Sequence, residues 1–182
     1  MSTNLSVALP EDDTYVRLLK DRISSDDQFQ FDTEYTQSLL LSIIMARNNE
    51  NAASLVKLGH GVGVLNKANA LVLRDASNGT NLANEKTKLL GVQGRMVSAL
   101  SDITRYLLSE YDEYYNSVGL KSATSRKDDV KNIFHVAYEK LDGYTTLIEQ
   151  IDLILEDIKQ SYLAYNFVLK SIQLSSMPNT PG

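Results

Sequence analysis

Chemistry has few places to reside in this chain. The richest is Gly59-His60-Gly61-Val62-Gly63, since closely spaced glycines let a backbone wrap around phosphate. The segment lacks the lysine followed by serine or threonine that grips nucleotide phosphates, and it lacks the dinucleotide-binding spacing. It reads as a turn, or as a place where two helices approach closely at Gly59 and Gly63. His60 and His135 are the only histidines, and neither belongs to a His-x-x-x-His or Glu-x-x-His pair. The acidic pairs Asp12-Asp13, Asp26-Asp27, Asp128-Asp129 and Glu156-Asp157 are adjacent in sequence. Neighbours on a helix diverge by about 100°, so these pairs read as helix-start or solvated charges, not as two-carboxylate catalytic sites. Cysteine is absent, which excludes thiolate nucleophiles, thiolate metal sites and disulfides. The expectation is a non-enzyme with no catalytic residues, no cofactor and no metal site.

One basic cluster offers a different chemistry. Lys121, Arg126, Lys127 and Lys131 gather in a short stretch, and Tyr114 and Tyr115 precede them as candidate stacking platforms for bases. Asp128 and Asp129 dilute that charge, and a net charge of −5 provides no general attraction for nucleic acid or an anionic membrane. Nucleic-acid contact through these four residues is therefore the alternative reading.

The elements that would position any site are helical. Apolar residues recur at alternating steps of four and three through Val130, Phe134, Ala137, Leu141, Tyr144, Ile148, Ile151, Leu155, Ile158, Tyr162, Tyr165, Leu169 and Ile172. This spacing keeps one stripe on one side of a helix over about six heptads. Such a helix spans roughly 65 Å, against about 40 Å for a compact globule of this length. A second partial stripe of Ile133, Leu147, Ile154 and Val168 widens the apolar face.

Upstream, Pro10 with Glu11, Asp12 and Asp13 reads as a helix start, and Tyr15, Leu18, Leu19 and Ile23 read as its buried face. After a break over Ser24 to Gln28, a helix capped by Asp32 carries Leu39-Leu40-Leu41-Ser42-Ile43-Ile44-Met45, apolar nearly all round. Val62 to Leu73 reads as a helix ended by the turn Ser77-Asn78-Gly79-Thr80. From Asn81 a long helix runs to about Tyr115, with Gly91 and Gly94 as signs of close helix contact or a bend. A loop over Asn116 to Thr124, with Gly119 as C-cap, leads to the final helix, where Ser125 and Asp128 resemble a capping box.

The expected fold is all-α: an elongated, coiled-coil-like antiparallel hairpin of long helices over 81–174 with a small N-terminal helical core over 11–76. Residues 1–10 and 175–182 are expected to be flexible. No apolar run approaches the roughly 20 residues of a membrane span, and the polar, acidic start is unlike a signal peptide, so the expectation is a cytoplasmic protein with no membrane partner.

The function expected from this architecture is structural. A long seam of Phe134, Leu141, Tyr144, Ile148, Ile151, Leu155, Ile158, Tyr162, Tyr165 and Leu169 would oligomerise the chain or dock it on partner subunits. Virion or ring-like phage components are one setting for such chains by architectural analogy, in which case the protein would be assembled in a virion.

Overall fold

The computed structural model describes residues 9–59 and 61–176. Its elements are helices throughout, with no strand among the described residues. In order they are a 3-10 turn Pro10–Asp12, α1 (Thr14–Ser25), a 3-10 turn Asp27–Phe29, α2 (Thr33–Asn49), α3 (Ala52–Val56), α4 (Val62–Glu110), α5 (Asp112–Ser117), α6 (Ala123–Ile133) and α7 (His135–Ser176). The flexible termini read from the sequence lie outside the described residues for 1–8 and 177–182, as does His60. No helix among the described residues is long and apolar enough to cross a membrane.

Helix ends follow local chemistry. Asp13 caps α1 by accepting from the N–H groups of Tyr15 and Val16, and Asp32 caps α2 by accepting from Tyr35. Gly119 takes φ +82° after α5, while the Leu120 N–H reaches the Tyr115 carbonyl and the Gly119 N–H reaches that of Asn116. That pair of bonds closes the exposed carbonyls of a short helix in the pattern typical of glycine C-caps. Ser122, not Ser125, caps α6: its Oγ accepts from the Ser125 N–H at 3.1 Å. The Gly119 turn leaves Ser122 extended, so the helix begins earlier than the Ser125-Asp128 pair suggests.

Several expectations need correction. Ser77-Asn78-Gly79-Thr80 is no turn, because α4 passes through it without interruption. The final helix is not continuous from its capping serine: α6 ends at Ile133 and α7 begins at His135, with Phe134 between them at φ −103° and ψ 30° while the Phe134 and Tyr138 N–H groups still reach the carbonyls four residues back. Val130, Phe134 and Ala137 stay buried across that step, so the stripe survives the departure in backbone angles. On α1 the buried face is Val16, Leu19 and Ile23, with Tyr15 and Leu18 exposed. On α2 only Leu40 and Ile43 of the apolar run are buried, whereas Leu41 and Met45 face outward. The glycines are not contact points: a Cβ on Gly59, Gly63 or Gly94 would meet nothing within 4 Å, and one on Gly91 would meet only the Arg95 guanidinium. Gly59 serves instead as the left-handed turn residue after α3, with φ +79°.

The chain divides into two compact units. One consists of Met1–Phe31 with Lys88–Thr146, the other of Asp32–Thr87 with Leu147–Gly182. In the first, Val16, Leu19, Ile23 and Phe29 share a core population with Met96, Leu100, Ile103, Leu107 and Val130. In the second, Leu55, Val64, Ala68, Leu71, Tyr165 and Ile172 form one cluster with half-buried Leu65, Val72, Val168 and Leu169 around it.

Candidate functional site: a two-faced helix end

Most of the seam is used up inside the chain. Phe134, Leu141 and Tyr144 in the first unit and Ile151 and Tyr165 in the second are buried. Tyr144 donates from its hydroxyl to the Phe29 carbonyl at 3.1 Å, and its ring meets Phe31 edge-on at 6.3 Å. Ile148, Leu155, Ile158 and Leu169 are half-buried, and Tyr162 alone of the ten is exposed.

The second unit carries its open apolar surface elsewhere on α7. Leu163, Phe167 and Leu174 are 57%, 73% and 70% exposed. At about 100° per residue these three fall within a narrow sector opposite Tyr165 and Ile172, so this end of α7 is apolar on both sides. One side packs into the cluster with Leu55 and Leu71, and the other meets solvent. Elsewhere in the same unit, Leu41, Ile44, Leu153 and Ile154 line a groove between α2 and α7 of about 290 Å³.

The second unit also holds a polar cluster that the composition gave no hint of. Arg47, only 7% exposed, donates to Asp75 at 2.7 Å, to Asp157 at 2.9 and 3.1 Å, to the Asp157 carbonyl and to Ser161 Oγ. Burial works against its charge, but the two carboxylates outweigh it and raise the guanidinium above its ordinary value. Arg74 adds an ion pair to Asp75 at 3.1 Å and donates to the Ala46 and Glu50 carbonyls at the end of α2. Further along, Thr36 Oγ1 donates to Glu85 at 3.0 Å. The signal for this cluster was present as spacing. Thr36, Leu40, Ile43 and Arg47 step by four, three and four, and Asp75, Asn78, Leu82, Glu85 and Leu89 continue the rhythm of Val64, Ala68 and Leu71.

The basic residues separate in use. Arg126 is held internally by the Leu120 carbonyl at 2.7 Å, by Asp112 and by Asn116, and stacks over Tyr115. Lys131 lies over the Tyr138 ring, while Lys121 and Lys127 are exposed. Members of three of the four acidic pairs have structural roles: Asp13 and Asp26 cap, Asp157 meets Arg47, and Glu156 accepts from Gln160. Among the described residues no three His, Cys, Asp or Glu side chains converge as metal ligands. His135 is exposed, with Nδ1 3.2 Å from the Asn132 carbonyl oxygen.

Comparison with known proteins finds no matching family, no matching curated relative and no matching solved structure.

Proposed function

We propose that the protein is a non-enzymatic assembly component that associates, with further copies of itself or with other subunits, through the outward face of α7. The observation that carries this reading is the exposure of Leu163, Phe167 and Leu174 on the side of the helix opposite its buried stripe. Three large apolar side chains in one sector exceed the scattered exposure normal for a monomer surface, and they mark a place where burial remains to be gained. Tyr162, the exposed member of the original seam, lies at the edge of the buried stripe and not on that face.

The reading includes a long antiparallel pairing of α4 with α7 as the scaffold. It is supported within the second unit, where Lys86 meets Asp152 at 2.6 Å and a Cβ on Gly79 would lie 3.9 Å from Ile158, so numbers fall on one helix as they rise on the other. In the first unit Gln93 donates to Thr145 Oγ1 at 2.9 Å, in the same sense.

The test is absolute mass by light scattering after size exclusion, at low and high salt. A defined oligomer that persists at high salt is expected, because apolar burial is not screened as ion pairs are. Leu163→Glu with Phe167→Glu should return the chain to monomer with unchanged helicity. A wild-type monomer at every concentration overturns self-association through this face.

A further inference from the structure

In the first unit, α1 and the α6–α7 junction enclose a cavity of about 140 Å³. Its walls are apolar: Ile23, Phe134 and Ala137 are each at most 3% exposed, and Ile133 is half-buried. The cavity lies where the backbone departs from helical angles at Phe134 between α6 and α7. A closed apolar void of about 150 Å³ accepts benzene and stays free of water. This cavity has that capacity, but it opens to solvent beside Ser24 and His135, and one cation overhangs it. Lys20 places Nζ 5.8 Å from the centre of the Phe134 ring, and that is the sole ion-like contact its ammonium makes among the described residues. No carboxylate lines the cavity.

We infer that this cavity is a binding site for a small aromatic carboxylate, with the ring against Phe134, Ile23 and Ala137 and the carboxylate on the Lys20 ammonium. The size of the apolar part selects a single ring, since pockets for larger ligands run from about 300 Å³ upward. The charge selects the anion: an ammonium held at the edge of a low-dielectric wall attracts a carboxylate more strongly than it would in open water. A cationic ring meets Lys20 unfavourably, and a neutral ring gains from the walls alone.

Benzoate is the probe, titrated into the isotope-labelled full-length chain while backbone amide shifts are followed by NMR, with benzyl alcohol and benzylamine as neutral and cationic counterparts. Saturable shifts confined to residues 20–24 and 133–137 are expected for benzoate, at least tenfold weaker binding for benzyl alcohol, and none for benzylamine. Lys20→Met should weaken benzoate at least tenfold and alter benzyl alcohol by no more than about twofold, because methionine keeps an unbranched apolar stem at this lining position and removes only the charge. Ala137→Leu should fill the cavity and abolish both. Benzoate that moves no amide in these two segments overturns the inference. So does equal binding of benzoate by the wild-type chain and by Lys20→Met, which would leave an apolar cavity with no preference for an anion.

Discussion

Asp13, half-buried at the start of α1, gathers four donors. The N–H groups of Tyr15 and Val16 cap α1 on Oδ1 at 2.8 and 3.4 Å, while the hydroxyls of Tyr106 and Tyr111 reach Oδ2 at 2.8 and 2.7 Å. Burial opposes the charge, but these four donors together hold the carboxyl below its ordinary value of 3.8. Burial and the Asp13 contact in turn push the Tyr111 phenol up to about 12. A depressed carboxyl stabilises fully above its unfolded value and loses that contribution as pH falls through the folded one, so the Asp13 contribution is whole above about pH 4 and is lost progressively below it. A raised phenol has the opposite sense: its contribution is whole below 10.0 and is lost as pH climbs toward about 12. Asp13→Ala should cost about 1 to 2 kcal/mol at neutral pH in urea unfolding, and should move the Tyr111 titration down in a phenolate absorbance curve. Two other tyrosines behave differently. The hydroxyls of Tyr115 and Tyr165 are buried without a well-formed hydrogen bond, each beside a carboxylate, Asp129 and Asp75 respectively. Where the contact to the carboxylate is too poorly formed to offset the desolvation of the hydroxyl, its deletion costs nothing, so Tyr115→Phe and Tyr165→Phe should each leave stability unchanged or raise it by up to about 1 kcal/mol. A loss of about 1 kcal/mol or more in urea unfolding would show that the hydroxyl bonds its carboxylate in solution.

In the second unit the polar residues fix how α2 lies on α4. Thr36 meets Glu85 near the start of α2, and Arg47 meets Asp75 near its end, so both ends of the helix are pinned by pairs that a slip of one turn would break. Arg47→Met leaves Asp75 buried with Arg74 as its remaining cation and should cost about 3 kcal/mol. The double substitution Arg47→Met with Asp75→Leu should recover most of that loss in chemical denaturation, because it removes both charges together. A double variant no more stable than the single one would mean that the pair stabilises the fold outright. The same residues explain what was legible in the sequence. Helical class, the Asp32 cap and the Gly119 turn could be read directly, because each depends on residues close in the chain. The continuity of α4 could not, since Asp75, Asn78 and Glu85 occupy stripe positions that look like an interruption until Arg47 and Thr36 are known to face the first and last of them. Asn78-Gly79 is a strong local turn signal overridden by burial of Leu71, Asp75 and Leu82 on either side. The outward face at Leu163 and Phe167 was hidden for another reason: on a helix apolar on two sides, spacing alone does not say which side the rest of the chain covers.

For the whole molecule, association and stability should be linked. If copies bind through the outward face of α7, each tenfold rise in concentration contributes up to about 1.4 kcal/mol to the associated state. For a chain of this size that corresponds to an increase of roughly 3 to 5 °C in apparent Tm. The comparison that isolates the interface is Phe167→Glu. Phe167 is 73% exposed, so its replacement should change the stability of the unassociated chain by no more than about 0.5 kcal/mol. Wild type and variant should therefore melt together at the lowest concentration and diverge as it rises, with the wild-type Tm climbing and the variant's staying flat. Parallel lines at every concentration would remove this face from the association. A variant that melts lower even at high dilution would place Phe167 in the core of its own unit, contrary to its exposure.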